Sequence, residues 1–599
     1  MNNFQKGSEW RRWDLHLHTP NTKLSNGYGN DANVWDRYID YLENSPVKAF
    51  GITDYFCADG YYTLLEKYRE KFPNTEKVFF LNVEFRVAEA ISKENSNPHI
   101  HVIFDNDENN CSRENIATFL STLKTHKENI AGARLSCNQL KIEADFSSAS
   151  VSLEDIKTAL KDTFGEAKPY LLAFPAKNDG VRSTDSKSPR KVLINDKIDR
   201  WCHLFFGASD SRNYFLKTDR YSEGKSEPKP VVSGSDAHSF SDLERLEGNV
   251  AGFEPTWIKA DLTFRGLKQI CFEPDSRIFI GTEPEVETRK THEATKFLSE
   301  LHINQIDGYD ERNGGWFKDV AIPLNPELTV IIGNKGSGKS ALVDIIGLLG
   351  ESRQSEYFSF LSDKGTNKKF KQRGYAENFE AKIIWQSGVP TSKSLNADVD
   401  VTKPEAVRYL PQNYWNSFES VHKFFEAILD TMKTYKNDSL SIKDQVMEIK
   451  EFYDFIFSLG YFSTKYELRS AGKNLNELSP GEKGLLLLVF YLQLDKDNIP
   501  LVIDQPEDNL DNDSIFAILA KCIREAKKSR QVILVTHNPN LAVGADAEQI
   551  IYVKLEKPNN YKFSYESGSI ENQNINDKIV LVLEGSQPAF IKRRLKYQI

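Results

Sequence analysis

The sequence predicts an α/β protein in two parts: a parallel sheet or barrel, then a second sheet domain with a phosphate-binding turn. Three observations carry this. Strand-like apolar runs alternate with helical stretches through the N-terminal part. The histidines are uneven, with His16, His18, His99, His101 and His238 all in the first 240 residues. A glycine-rich phosphate signature occurs only at 333–340.

The first part carries strand-like runs at Lys48–Thr53, Val78–Val83, His99–Phe104, Tyr170–Phe174 and Val231–Ser233. Their alternation with helical segments argues for a parallel sheet or barrel. Residues 105–165 are richer in Asn, Ser and Lys and read as an insertion. The polar stretch 281–296 reads as a linker or a solvated connecting helix. The expected boundaries are 1–285, a linker at 286–300, and 301–599. The second part opens with strand-like Leu328–Ile332 feeding a helix from Lys339 and closes with Ile499–Ile503 and Gln531–Thr536.

Composition narrows the classes. With 599 residues the chain is too long for one ordinary domain. Lys+Arg is 77 and Asp+Glu 86, a net charge of −9, which excludes a generally basic nucleic-acid coat. Six cysteines, none in a C-x-x-C pair, exclude a disulfide scaffold and a cysteine zinc ribbon. The longest apolar stretch, Leu485–Leu494, is far short of a membrane span. Residues 1–20 lack an apolar signal core, so the expected compartment is the cytoplasm.

The turn Gly333, Asn334, Lys335, Gly336, Ser337, Gly338, Lys339, Ser340 has G-x-x-x-x-G-K-S spacing between a strand and a helix. Glycines let backbone N–H groups turn onto phosphate oxygens, and the helix presents its N-terminus to the same anion. Lys339 reaches the β/γ-phosphates and Ser340 holds Mg²⁺. Leu501–Asp504 is an apolar strand ending in an acid, suited to the same Mg²⁺. Leu478-Ser479-Pro480-Gly481-Glu482-Lys483 resembles the LSGGQ signature of ABC-type ATPases, and Asn509-Leu510-Asp511 resembles their D-loop. Tyr409-Leu410-Pro411-Gln412 looks like the Q-loop, and His537 stands where the switch histidine would. Together these resemble an ABC/SMC-like ATPase head. The resemblance implies ATP with Mg²⁺ and at least a homodimer, two ATP sandwiched with Ser479 and Gly481 of one head over the other's phosphate loop. Between Gly338 and Leu478 there are no sustained heptads, so that insertion should be compact. Where such heads carry a catalytic Glu, this chain has Gln505, which cannot take a proton. Either Glu507 or Asp508 substitutes, Glu507 being preferred, or hydrolysis is slow and ATP acts as a conformational ligand.

Asp14, His16 and His18 share one face of a strand by its period of two, a pattern suited to a divalent metal. Four segments in order, DLHLH at 14–18, GITDY at 51–55, Glu84 with HIH at 99–101, and GSDAH at 234–238, resemble the PHP (polymerase and histidinol phosphatase) family. The resemblance implies a distorted (β/α)7 barrel and metal-dependent phosphoesterase chemistry. It places His16, His18, Glu84 and Asp236 on a first metal, Glu84 with His101 on a second, and His238 in a third site. His99 shares a strand face with His101 and competes for its role. Tyr55, Leu24 and Phe174-Pro175 stand where fuller family sites carry histidines, which implies one or two metals rather than three. Asp54 is a candidate substitute ligand or a group orienting His16. Mn²⁺, Zn²⁺ or Fe²⁺ would suit the mixed ligands.

A PHP module followed by an SMC-like head resembles the TrlF family, as does the tail pattern Glu584, Gly585, Ala589, Phe590, Arg593, Lys596, Tyr597. That implies nucleic-acid processing and defence against phage. Two basic clusters, Lys364–Arg373 flanked by Phe370 and Tyr375, and Lys592–Lys596 beside Tyr597, suit DNA or RNA. The leading expectation is an ATP-controlled nuclease or phosphodiesterase in which Asp236, Gln412, Glu507 and His537 take catalytic parts, working as a dimer or, through paired PHP contacts, a tetramer, with no membrane. A small-molecule or nucleotide phosphatase with an ATPase sensor, and a non-catalytic ATP-switched nucleic-acid binder, are the alternatives.

Overall fold

The structure, a computed structural model, describes residues 5–89, 98–176, 196–221, 224–362, 370–412, 450, 469–470, 473–474, 489, 497–507 and 518–597. The chain divides into two compact units, Met1–His292 with Gly568–Asn576, and Glu293–Ser567 with Asp577–Ile599.

The first unit contains β1 (Trp10–His18), β2 (Ala49–Tyr55), β3 (Val78–Arg86), β4 (His99–Phe104), β5 (Lys124–Glu128), β6 (Arg134–Ser136), β7 (Tyr170–Pro175), β8 (Leu204–Phe206), β9 (Val231–Val232), β10 (Thr256–Lys259) and β11 (Ile278–Ile280). Nine of them form one sheet in the order β11-β10-β1-β2-β3-β4-β7-β8-β9. After β9 the chain returns to β1 through a bridge between Leu17 and Ala237, so the sheet nearly closes into a barrel. An all-parallel barrel was expected, and the sheet is mixed. β1-β2-β3 and β7-β8-β9 are parallel blocks, but β4 runs antiparallel to both β3 and β7. The reason is connectivity: β3 ends at Arg86 and β4 begins at His99, and the direct return reverses the strand. The expected insertion at 105–165 is where helices Arg113–Thr122 and Leu153–Phe164 and the β5–β6 hairpin stand between β4 and β7.

β2 is buried on every residue, as a strand covered on both faces must be. Its core is aromatic: Trp13 stacks on Phe80 at 5.8 Å, and Phe50 on Phe79 at 5.6 Å.

The segment Gly568–Asn576 is held in this unit by polar groups. Ser569 donates to Asp261, and Glu571 Oε1 accepts from Ser8 Oγ at 2.7 Å and from the Asp261 N–H at 3.1 Å. Burial, with the charge of Glu571, pushes the Asp261 carboxyl up to about 7. A folded-state pKa above the ordinary 3.8 favours the protonated, folded form. Its stabilisation is complete below about pH 4 and is lost as pH rises through about 7. Thermal unfolding of the full chain should therefore show a falling contribution from Asp261 across that window, at about 1.4 kcal/mol per pKa unit. Asp261→Asn, which mimics the protonated form, should flatten the slope; parallel curves for the two proteins would reject this.

The second unit contains β12 (Leu298–Gln305), β13 (Val320–Pro323), β14 (Leu328–Ile332), β15 (Phe379–Trp385), β16 (Pro390–Ser394), β17 (Arg408–Leu410), β18 (Arg469–Ser470), β19 (Lys473–Asn474), β20 (Leu501–Asp504), β21 (Val532–Val535), β22 (Gln549–Glu556) and β23 (Lys562–Gly568). An antiparallel sheet, β13-β12-β15-β16, accompanies a six-stranded sheet, β17-β20-β21-β14-β22-β23. β14 lies between β21 and β22, parallel to both, and runs into the phosphate loop and the helix Lys339–Leu349. That helix buries ten residues because its sequence is apolar on all sides. Residues 286–300, expected as a linker, hold most of the helix Glu285–His292 and the start of β12.

Candidate functional site

β1 and β3 aim the first cluster. β1 ends in His16 and His18, and Glu84 faces His101 across the β3–β4 ladder. The 234–238 turn brings Asp236 and His238 to the same place. It is pinned by Asp236 N–H to His16 O at 2.8 Å and His18 N–H to Ala237 O at 3.2 Å. Only glycine fits at 234, since a Cβ there would lie 2.5 Å from the His16 Cβ. Asp236 itself sits at φ 47, a strained conformation that the two backbone bonds stabilise.

The geometry converges on two carboxylates. Glu84 Oε2 is 3.5 Å from His16 Nε2 and 3.3 Å from His18 Nε2. Glu84 Oε1 is 2.5 Å from His99 Nδ1 and 3.9 Å from His101 Nε2. Asp236 Oδ1 is 3.2 Å from His16 Nε2, 3.5 Å from His18 Nε2 and 3.4 Å from His238 Nε2. His16 Nε2, His18 Nε2, Glu84 Oε2, both ring nitrogens of His101 and His238 Nδ1 are buried without a well-formed hydrogen bond. Such groups are costly unless something binds them. In each of the groups His16–His18–Glu84 and His18–Asp236–His238, the ligand atoms lie within 4.8 Å of one another, a spacing a divalent cation can occupy.

Burial opposes charge on Glu84, but His101 and contacts from His16, His18 and His99 hold its carboxyl well below the usual range. Burial lowers His18, but Asp236 and Glu84 outweigh it and lift the imidazole to about 9. His101 is held well below the ordinary value by burial, and so keeps a free lone pair. All six sequence-predicted ligands, His16, His18, Glu84, His101, Asp236 and His238, are thus brought together. His99 joins them closer to Glu84 than His101 is. Tyr55 stacks on His18 at 4.9 Å.

Two expectations are corrected. Asp14 does not point at the cluster: its oxygens accept from Ser235 N at 2.9 Å and His16 N at 3.1 Å, so it fixes the turn. Asp54 neither ligates nor holds His16; it accepts from Thr19 Oγ1 at 2.9 Å.

In the second unit a cavity of about 710 Å³ is lined by the phosphate loop (Gly333, Lys335 to Ser340) with Gln412, Gln505 and His537, and by Trp316, Phe360 and Phe563. Gly338 has φ 98, and a Cβ there would lie 2.1 Å from Phe563 Cε1, so the loop demands glycine. Lys339 Nζ donates to Gly333 O at 2.8 Å and Asn334 O at 3.4 Å, which holds the ammonium against the loop. Burial lowers its pKa, against the charges of Asp504 and Glu507. Asp504 is pushed up to about 6 by burial, and Ser340 and Gln505 bond it. Gln505 Nε2 lies 3.3 Å from both Gln412 Oε1 and Asp504 Oδ1.

Glu507 does not line the cavity. Its Oε1 accepts from Thr536 Oγ1 at 2.6 Å and from the His537 N–H at 2.8 Å, and lies 3.0 Å from His537 Nδ1. Asp344 was missed by the sequence reading: the hydroxyl of Tyr409, in the Q-loop-like segment, donates to Asp344 at 2.9 Å and lies 3.5 Å from Asp504 Oδ2. A lone acid inside the apolar helix was the available signal. Ser479, Gly481, Asp508, the D-loop-like segment and most of the expected compact insertion lie outside the described residues. Of the basic patch, Lys371 is paired with Asp398 at 2.6 Å, and Phe370 is buried against Phe360 at 4.5 Å. Phe370 is therefore core and not a stacking surface for bases. Lys592, Arg593, Arg594 and Lys596 are exposed on the helix Gln587–Tyr597. Among the described residues no helix is long and apolar enough to cross a membrane.

Residues 315–560 match the family described as RecF/RecN/SMC N terminal domain. Solved structures similar to the chain include an Smc head bound to the C-winged helix domain of ScpA (15% identity, 45% of this chain and 98% of that one, TM-score 0.26). Others are the SMC head domain from Thermotoga maritima (16%, 45% and 98%, TM-score 0.24) and the Smc head with an extended coiled coil bound to the C-terminal domain of ScpA derived from Pyrococcus furiosus (16%, 47% and 99%, TM-score 0.26). No curated protein matches the chain.

Proposed function

We propose that this chain is an ATP-controlled, metal-dependent phosphoesterase of the PHP type that cleaves nucleic acid, in prokaryotic antiviral defence. One observation carries the phosphoesterase reading: buried, unpartnered imidazole nitrogens converge with Glu84 at the end of a nearly closed sheet. The donor set fits Mn²⁺, Zn²⁺ or Fe²⁺. His16, His18, Glu84 and Asp236 would hold one ion, and Glu84 with His101 or His99 a second. His238 orients Asp236 or joins a further ion. A bound ion of this kind acidifies water and clamps phosphoryl oxygens. Asp236, more than half exposed, is the ligand that faces incoming substrate.

The ATPase head supports ATP with Mg²⁺, held by Lys339, Ser340 and Asp504. Head closure over ATP in a dimer, with Ser479 and Gly481 reaching the partner's loop, is the control step. The −9 charge confines nucleic acid to local basic surfaces such as the exposed Lys592–Lys596 cluster. Resemblance to TrlF-type proteins supports the defence role and a cytoplasmic setting.

The test is a cleavage assay of metal-stripped protein resupplied with Mn²⁺, on DNA and RNA, with and without ATP. Cleavage should vanish in His16→Ala and lose its ATP dependence in Lys339→Ala. Salt-sensitive binding without cleavage in any nucleotide state would replace this reading with a non-catalytic switch.

A further inference from the structure

We propose that Arg86 is a phosphate clamp beside the histidine cluster, its guanidinium taking the non-bridging oxygens of the phosphoryl group to be hydrolysed. The proposal rests on the phosphoesterase reading of that cluster, and every residue it uses belongs to the first unit.

The strands place Arg86 there. β1, β2 and β3 run parallel and end in His18, Tyr55 and Arg86, so these three residues stand at one edge of the sheet. Tyr55 pairs with Glu84, and β3 continues past that pair to Arg86, where the strand leaves the core and becomes half-buried. Side chains two apart on a strand share a face, which puts Arg86 on the face of Glu84. Across the antiparallel ladder Arg86 stands opposite His99, whose Nδ1 is 2.5 Å from Glu84 Oε1. The guanidinium carbon lies 5.8 Å from the centre of the Tyr55 ring. That ring stacks on His18 at 4.9 Å and meets His99 edge-on at 6.3 Å.

The side chain is oriented but not neutralised. Arg86 Nη1 donates to Ser147 O at 2.7 Å, at the end of the short helix Glu143–Ser148. Among the described residues no carboxylate pairs with it. A guanidinium carries its N–H donors in a planar fork, and the bond to Ser147 leaves the rest of the fork for an anion. Such a fork can meet two oxygens of one phosphoryl group, which a lysine ammonium does not do. A guanidinium has no lone pair to offer a metal ion, so a cation in this place serves an incoming anion.

The competing role is a strut that fastens the inserted segment to the sheet. The backbone already does this. Val151 N–H donates to Arg86 O at 2.9 Å, and Ala88 N–H donates to Val151 O at 2.8 Å. Val87 and Val151 bridge the two segments with both side chains fully buried. Docking of the insertion therefore needs no charge at position 86. The dependence runs the other way: the docked helix supplies Ser147 O, which holds the fork.

The experiment is calorimetric titration of the Mn²⁺-loaded full chain with inorganic phosphate, with metal content measured on the same samples. Arg86→Ala should weaken phosphate binding about tenfold or more, the scale of a lost charge-assisted pair. Arg86→Lys, which keeps the charge but not the fork, should recover only part of that. Mn²⁺ stoichiometry should match the parent in both. Unchanged phosphate affinity in Arg86→Ala overturns the clamp, as does a parent that holds Mn²⁺ but not phosphate. So does loss of Mn²⁺ in step with phosphate, which would make Arg86 a structural support of the cluster. If Arg86→Ala does not fold, Arg86→Lys decides alone, and phosphate affinity within about twofold of the parent rejects the fork. A parent that takes up no Mn²⁺ removes the phosphoesterase reading, and the clamp with it.

Discussion

Glu84→Gln is expected to cost the N-terminal unit at least one bound divalent metal ion. The Glu84 carboxylate is 2% exposed and stands within 3.9 Å of His16, His18, His99 and His101. It is the carboxylate that faces four of the imidazoles, Asp236 being the other anion of the cluster. A Gln amide is isosteric but neutral, and it turns an N–H₂ donor toward nitrogens whose lone pairs are needed for a cation. Outer-shell partners of metal ligands already contribute 10–100-fold in affinity. Loss of a shared ligand should therefore cost more than about 100-fold. Metal content after chelation and resupply with Mn²⁺ should fall by at least one ion per chain, that of the group His16–His18–Glu84. His99→Ala should remove at most one ion, because the group His16–His18–Glu84 survives it. Glu84→Gln that still retains Mn²⁺ at the parent stoichiometry would refute the assignment. The cluster would then be a set of polar core histidines, and the buried nitrogens would need another partner.

The histidine cluster was legible in sequence because strand periodicity is short-range. H-x-H puts two rings on one face whatever the tertiary structure does, and the G-x-x-x-x-G-K-S turn is equally local. What escaped the reading depended on distant chain. Asp14 has the same period as His16 and His18, but a register shift in β1 between Asp14 and Leu17 turns it to cap Ser235. Asp54 follows a strand pattern typical of a ligand, yet Thr19, 35 positions away, takes its oxygens. β8, β10 and β11 are only three or four residues long, too short for a periodic signal to stand out. The return of 568–576 to the first unit has no local signature. Its evidence is the pairing of Glu571 with Ser8 and Arg277, 563 and 294 positions away. Phe370, beside a basic run, looked like a stacking surface; the aromatic cluster that buries it comes from Trp316, Phe317 and Phe360.

His537→Ala is expected to lower ATP turnover by about 10²–10⁴-fold, the usual contribution of a positioned proton-transfer group. Gln505 lines the cavity but cannot accept a proton, so hydrolysis there needs another base. His537 lines that cavity, and its Nδ1 lies 3.0 Å from Glu507 Oε1. With Nδ1 beside Glu507, the imidazole is oriented in the wall of the cavity that it lines. Glu507 is thereby a positioning residue rather than the base itself. It also fixes the loop, since the same oxygen accepts the His537 N–H and the Thr536 hydroxyl. Glu507→Gln should reduce turnover less than His537→Ala. It should also shift the acid limb of the pH–rate profile to lower pH, because an imidazole without its carboxylate is easier to deprotonate. ATP affinity, set by Lys339 and the glycine turn, should change less than about threefold in either variant, which separates a catalytic defect from a collapsed site. Normal turnover in His537→Ala would remove the pair from the mechanism. Normal turnover in Glu507→Gln with an unmoved profile would leave His537 acting alone. Slow hydrolysis in the parent protein, accelerated by Gln505→Glu, would instead mark ATP as a long-lived conformational ligand, with the Glu507–His537 pair sensing the γ-phosphate rather than cleaving it.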